Sequence, residues 1–99
     1  MALEIYWSKQ AYNKFDTILE HLESEWGKST SKIFVKKVYD FIDTLHEFPE
    51  IGSIENRYKN IRGFVLIKQL TLFYQIRDNK IILLNFYDNR QKPKKRKHY

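Results

Sequence analysis

Basic side chains and tyrosines in the second half of the sequence are the residues best able to do chemistry. Residues 57–99 hold twelve Lys and Arg against two acids, whereas residues 1–56 hold six against ten. Such segregation of charge favours an anionic partner, either nucleic acid or an acidic protein segment. The alternative is that a basic tail only keeps a small protein in solution.

The residue types and their spacing exclude several other kinds of functional site. The chain has no cysteine, which excludes disulfides, thiol catalysis and Cys-ligated zinc, and fits a reducing, cytoplasmic location. Gly27-Lys28-Ser29 resembles the end of a phosphate-binding loop, but Leu22 stands where that loop needs glycine. His46 and Glu47 lack the second histidine of a zinc-protease motif, and His21 is isolated. We therefore expect no metal and no cofactor.

Apolar spacing predicts an α+β fold of about 100 residues. A short strand at 3–7 precedes two amphipathic helices. Ser8 caps the first helix, Gly27 separates it from the second, and Pro49 ends the second. The short link makes the helices an antiparallel pair. Strands at 61–68, 70–77 and 80–87 form a three-strand antiparallel meander, and all strands form one sheet packed on the helices.

The domain boundaries follow from the same pattern. Residues 1–91 are predicted to form a single domain, followed by a basic tail at 92–99 in which Pro93 prevents the last strand from continuing. The apolar runs are too short to cross a membrane, and the N-terminal residues lack the apolar core of a signal peptide.

The Asp78-Asn79 turn predicts the register of the last two strands, because Asn tolerates a positive φ. It pairs Arg77 with Lys80 and Gln75 with Ile82, and further on Phe73 with Leu84 and Thr71 with Phe86. Two helices cover only one face of a sheet. The uncovered face then shows an apolar patch, expected to bind a partner unless the first strand or the tail folds across it. The patch consists of Phe73, Ile82, Leu84 and Phe86.

Five short motifs, in this order and spacing, resemble the RelE/ParE superfamily of bacterial type II toxins. They are Ile5-Tyr6-Trp7-Ser8 with Ala11, Leu45 with Pro49 and Gly52, Ile61-Arg62-Gly63-Phe64, the hairpin 73–82, and Asp88-Asn89-Arg90-Gln91. The resemblance implies a toxin neutralised by a cognate antitoxin, which would bind the apolar patch. It also implies that operator DNA is bound only through the toxin–antitoxin complex.

The resemblance leaves two branches open. RelE-like toxins cleave mRNA on the ribosome without a metal, whereas ParE-like toxins inhibit DNA gyrase and are not nucleases. In the nuclease branch, Arg62, Arg77 and Arg90 would contact phosphate or the transition state, and Tyr87 or Tyr99 would transfer a proton. Thr71 stands where that branch has an arginine, and Thr71 and Trp7 favour the ParE-like branch.

Six basic residues are assigned to target binding in either branch. They are Lys59, Lys68, Arg77, Lys94, Lys95 and Arg96. His98 and Tyr99 form a terminal pair such as some RelE-like nucleases place near the reaction. A plain nucleic-acid-binding module is the third possibility, since Arg57-Tyr58-Lys59 mixes aromatic and basic character.

Overall fold

Seven elements follow one another in the computed structural model, which describes residues 3–90. Two helices lie against one five-stranded sheet. The elements are β1 (Glu4–Trp7), α1 (Lys9–Trp26), α2 (Lys28–Glu47), β2 (Ser53–Asn56), β3 (Ile61–Ile67), β4 (Leu70–Arg77) and β5 (Lys80–Asp88). The predicted tail at 92–99 lies outside the described residues.

The helix pair forms as the apolar spacing predicts. The Ser8 hydroxyl caps α1 by accepting the Ala11 N–H at 3.0 Å, and Gly27, with φ of 89°, separates the two helices. The buried stripe of α2 is formed by Phe34, Val38, Phe41, Ile42 and Leu45. Trp26, although spaced as part of the α1 stripe, lies at its end and is 71% exposed. Neither helix is long and apolar enough to cross a membrane within residues 3–90.

The sheet has the order β1-β5-β4-β3-β2, and β1 runs parallel to β5 while the other pairs are antiparallel. The α+β class and the meander are confirmed. One strand was not predicted, because the region before Arg57 was expected to be a loop. In that region β2 pairs with β3, and Ser53 faces Gly63. The two strands are joined by a four-residue turn in which Asn60 has φ of 55°.

The predicted register of β4 and β5 is correct only near their turn. Arg77 faces Lys80 and Gln75 faces Ile82, but beyond Tyr74 and Leu83 the pairing shifts by one residue. Leu84 is the extra residue of this β-bulge. Ser8, which follows β1, fixes the bulge through two hydrogen bonds. Its N–H donates to the Leu83 carbonyl at 2.9 Å, and its hydroxyl donates to the Leu84 carbonyl at 3.0 Å.

The bulge transfers Phe86 to the helix side of the sheet, so its predicted place in an exposed patch was wrong. Phe86 faces Leu72 instead of Thr71 and is 0% exposed. Side chains alternate along a strand, so one inserted residue exchanges the faces of all that follow. The Phe86 ring packs against Phe15 at 5.7 Å and Trp7 at 6.0 Å between ring centres, and these rings form the middle of the core.

Candidate target-binding face

The side of the sheet away from the helices is called the open face here. It carries the residues of β4 that alternate with core residues, namely Thr71, Phe73, Gln75 and Arg77, with their neighbours on β3 and β5. This face is the candidate site for a target, because the helices leave it uncovered.

The apolar patch on the open face is smaller than predicted. Phe73 is only 5% exposed, and its ring lies 6.2 Å from that of Tyr87. It also lies over Gly63, where an added Cβ would be 2.9 Å from the Phe73 ring. The expected exposure of Phe73 was therefore wrong. Ile82 and Leu84 are half-buried, and only these two of the four predicted antitoxin contacts offer appreciable surface.

Arg62 lies on the helix side of the sheet, opposite Tyr74. Its guanidinium donates to the carbonyls of Glu50 at 3.0 Å and Gly52 at 2.8 Å, and pairs with the Glu50 carboxylate at 3.3 Å. The side chain is 13% exposed. The charge is thus used to hold the loop between α2 and β2, and the structure does not bring Arg62 onto the open face.

Tyr74 holds the same loop and was missed as a positioning residue. Its hydroxyl donates to the Pro49 carbonyl at 2.8 Å and accepts the Gly52 N–H at 2.9 Å. Burial raises the pKa of Tyr74, which keeps the phenol protonated. The available sequence signal was a tyrosine on the apolar side of a strand, where a buried hydroxyl needs a hydrogen-bond partner.

Arg90 follows β5 directly and is bound to Asp88. Its Nε lies 3.0 Å and its Nη2 2.8 Å from the two Asp88 carboxylate oxygens, and its backbone N–H bonds the same carboxylate at 2.9 Å. These bonds lower the pKa of Asp88 to about 2. Arg90 is exposed, but an adjacent negative charge offsets part of its attraction for phosphate.

Thr71, where the nuclease branch has an arginine, is tied to Asn89. The Thr71 hydroxyl donates to the Asn89 side-chain oxygen at 2.7 Å. Asn89 also bonds the β3–β4 turn, through its backbone N–H to the Gln69 carbonyl at 2.7 Å and its amide to the Lys68 carbonyl at 3.2 Å. Thr71 and Asn89 therefore fix the end of β5. Asn89 belongs to a motif that the sequence showed, yet only its neighbour Arg90 was assigned a role.

The predicted basic residues separate into two groups. Lys68 in the β3–β4 turn and Arg90 after β5 lie at one end of the sheet, near Tyr87, which faces Thr71. Lys59 and Arg77 lie at the other end, where Gln75 donates to the Lys59 carbonyl at 2.9 Å. The length of β4 separates these ends by about 23 Å. Lys94, Lys95, Arg96, His98 and Tyr99 fall outside the described residues.

The end with Lys59 and Arg77 is concave. A depression of about 750 Å³ there is lined by Tyr58, Lys59, Gln75, Arg77 and Leu84, among others. A second depression of about 630 Å³ lies beside α1, where Lys9 and Lys14 approach Asn85. Within residues 3–90, no three His, Asp or Glu side chains converge as metal ligands would.

Two helices packed on one side of a five-stranded sheet match the fold of ParE/RelE-like toxins. The family model described as "ParE toxin of type II toxin-antitoxin system, parDE" matches residues 5–93. The chain belongs to this family. A comparison with curated proteins found no match.

Solved structures of toxins have the same fold. A chain of the chromosomal ParDE toxin–antitoxin system from P. aeruginosa superposes with a TM-score of 0.73 at 13% identity, covering 88% of this chain and 96% of that one. The YoeB dimer from Staphylococcus aureus superposes with a TM-score of 0.62 at 16% identity, covering 92% of this chain and 100% of that one. A copper-bound mutant toxin from Helicobacter pylori superposes with a TM-score of 0.57 at 16% identity, covering 88% of this chain and 94% of that one.

Proposed function

We propose that this toxin arrests bacterial growth by binding DNA gyrase in the cytoplasm, without cutting nucleic acid, and that a cognate antitoxin neutralises it. The main support is that two positions where the nuclease branch would place arginines acting on phosphate hold residues with structural roles. Arg62 holds the loop between α2 and β2, and Thr71 bonds Asn89.

The chemistry of RNA cleavage explains why this matters. Attack of a 2′-hydroxyl on the neighbouring phosphate builds negative charge that preorganised cations must stabilise. Thr71 is uncharged, Arg62 lies on the other side of the sheet, and Arg90 is bound to Asp88. A face arranged in this way suits protein binding better than phosphoryl transfer. The match to a ParE family model supports the same choice.

The antitoxin is proposed on the family description and on charge. The description names a toxin–antitoxin system, and a structural neighbour is a ParDE system. With a net charge of +6, this chain would favour an acidic antitoxin segment. Operator DNA would be bound only through the complex.

Growth experiments test the proposal. Induced expression should arrest bacterial growth, and co-expression of a small adjacent reading frame should relieve the arrest. Plasmid DNA from arrested cells should lose negative supercoiling, while primer extension on cellular mRNA should show no new cuts. Codon-phased cuts with normal supercoiling would contradict the proposal and establish the mRNA interferase instead.

Arg90→Ala sharpens the distinction between the two branches. A gyrase inhibitor with Arg90 bound to Asp88 should remain toxic after this change. In a ribosome-dependent nuclease the same change should abolish toxicity, because Arg90 would then contact the transition state at a cost of about 3–4 kcal/mol. Lys37→Ala, an exposed change on α2, is the control for expression and stability.

A further inference from the structure

Tyr58 is the most exposed large apolar side chain of the described residues. It lies in the turn between β2 and β3 and is 100% exposed. An aromatic ring in this position contributes nothing to the core. Singly exposed apolar residues are common, so exposure alone does not indicate a site. The structure of the turn and the charges around it provide the further observations.

The turn that carries Tyr58 is tied on both sides. The Asn56 side chain accepts the Lys59 N–H at 3.0 Å, and Gln75 donates to the Lys59 carbonyl at 2.9 Å. The Asn60 carbonyl accepts the Ile76 N–H at 3.1 Å. The backbone that carries the ring is therefore bonded to the neighbouring strand. This lowers the conformational entropy that the turn loses when a partner binds.

Two cations flank this ring. Arg57 and Lys59 are exposed, and neither forms an ion pair within residues 3–90. Arg77, on the adjacent strand, pairs with Asp78 at 3.2 Å in solvent. The turn thus presents an aromatic ring between two unpaired positive charges, beside the 750 Å³ depression.

The wall of this depression is partly apolar. Ile61, buried, and Leu84, half-buried, line it together with the amide of Gln75. Tyr and Arg side chains at a partly apolar hollow are typical of protein interfaces, where a few such residues carry most of the binding energy.

We propose that the turn at 57–60 and the adjoining end of the open face bind an acidic segment of the protein target, with Tyr58 as the anchor. This inference rests on the proposed function, in which that target is DNA gyrase. An apolar side chain of the segment would contact Tyr58 and Leu84, and its carboxylates would lie near Arg57 and Lys59.

The charges at this end favour a peptide over a nucleic acid. Glu4 and Asp78 lie among the cations, since Glu4 is opposite Lys80 in the β1–β5 register and Asp78 adjoins Arg77. Single-stranded nucleic acid is bound by a continuous basic groove with successive stacking rings. Tyr6, the next ring on this face, is not free to stack on a base. Its hydroxyl donates to the Glu4 carboxylate, and Lys80 lies over its ring.

The test is binding of immobilised toxin to purified DNA gyrase. Tyr58→Ala should weaken binding at least about tenfold, whereas Tyr58→Phe, which keeps the ring, should stay within about threefold. Tyr12→Ala, an exposed tyrosine of α1, is the matched control and should bind as the wild type does. Lys59→Glu should weaken binding more than Lys37→Glu, and the difference should shrink at high salt.

The outcomes separate the two claims. Wild-type toxin that fails to bind gyrase overturns the proposed function, and this inference with it. Wild-type binding that Tyr58→Ala leaves unchanged overturns this inference alone. A labelled single-stranded oligonucleotide serves as the second probe. Loss of oligonucleotide binding in Tyr58→Ala, with gyrase binding intact, would assign the turn to nucleic acid and overturn the inference. Since the Tyr58 side chain is fully exposed, thermal unfolding of the variants should match the wild type.

Discussion

Arg62 and Arg90 lie in two different environments, the first largely buried and the second exposed to solvent. Both belong to short motifs that resemble toxin sequences, and both were predicted to contact phosphate in the nuclease branch. Arg62 lies on the helix side, largely buried, and binds backbone carbonyls. Arg90 lies in solvent beyond β5 and binds one carboxylate. Position on the sheet, more than residue type, separates a structural arginine from one available to a partner.

The same lesson holds for the phenylalanines of the hairpin. Phe73 and Phe86 were both assigned to one apolar patch, but the bulge at Leu84 places them on opposite sides. Phe86 belongs to the helix-side core, and Phe73 packs over Gly63 on the open face. The following substitutions test this division, from the largest expected effect to the smallest.

Phe86→Ala should give the largest loss of stability. Removing a fully buried ring leaves a cavity between the helices and the sheet, and we expect a loss of about 3–5 kcal/mol in the free energy of unfolding, measured by urea denaturation. Ile82→Ala, half-buried on the open face, is the control and should cost clearly less. Equal losses, or a stable Phe86→Ala protein, would break the assignment of Phe86 to the core.

Substitution of the two arginines compares the buried and the exposed environment directly. Arg62→Ala should lower the free energy of unfolding by about 2–3 kcal/mol, because the loop carbonyls lose charged donors in a largely buried position. Arg90→Ala should leave the unfolding midpoint nearly unchanged, since exposed ion pairs contribute little. Thermal unfolding of both variants measures the contrast. Similar midpoints would show that the loop does not depend on Arg62.

Tyr74→Phe should have a smaller effect on the same loop. The change removes one hydroxyl and leaves the Pro49 carbonyl and the Gly52 N–H without their partner, for a loss of about 1–2 kcal/mol. Tyr12→Phe, which removes an exposed hydroxyl, should cost nothing measurable. Hydrogen exchange at the Gly52 amide gives an independent reading, and unchanged protection in Tyr74→Phe would contradict the assigned bond.

The pairing of Asp88 with Arg90 should give the smallest effect, seen only in acid. The pKa of Asp88 is lowered to about 2 in the folded protein, so its contribution is present above the ordinary pKa near 3.8 and is lost as the pH falls through about 2. Asp88→Asn should therefore lose less stability between pH 5 and pH 2 than the wild type. Asp43→Asn, an exposed acid of α2, is the control and should follow the wild type.

Local sequence rules were sufficient for most of the fold. The Ser8 cap, the break at Gly27 and the Asp78-Asn79 turn follow from preferences of single residues, and each appears where it was predicted. The short strand β2 could not be found, because Ser53–Asn56 has no apolar alternation and is a strand only through its pairing with β3.

The candidate site was harder to predict because it depends on long-range pairing. The bulge at Leu84 is fixed by Ser8, which lies 76 positions earlier, and no local pattern marks it. Arg62, Tyr74 and Asn89 acquire their roles from carbonyl groups of distant loops. The identity of the basic residues was visible in the sequence, but their division between two ends of the sheet was not.

Supercoiling of relaxed plasmid by purified DNA gyrase tests the central claim most directly. Added toxin should inhibit the reaction in proportion to its concentration, and Arg90→Ala toxin should inhibit equally. The same preparation should leave mRNA intact on translating ribosomes. Undiminished supercoiling together with cleaved ribosome-bound mRNA would contradict the account and show that the toxin is a nuclease.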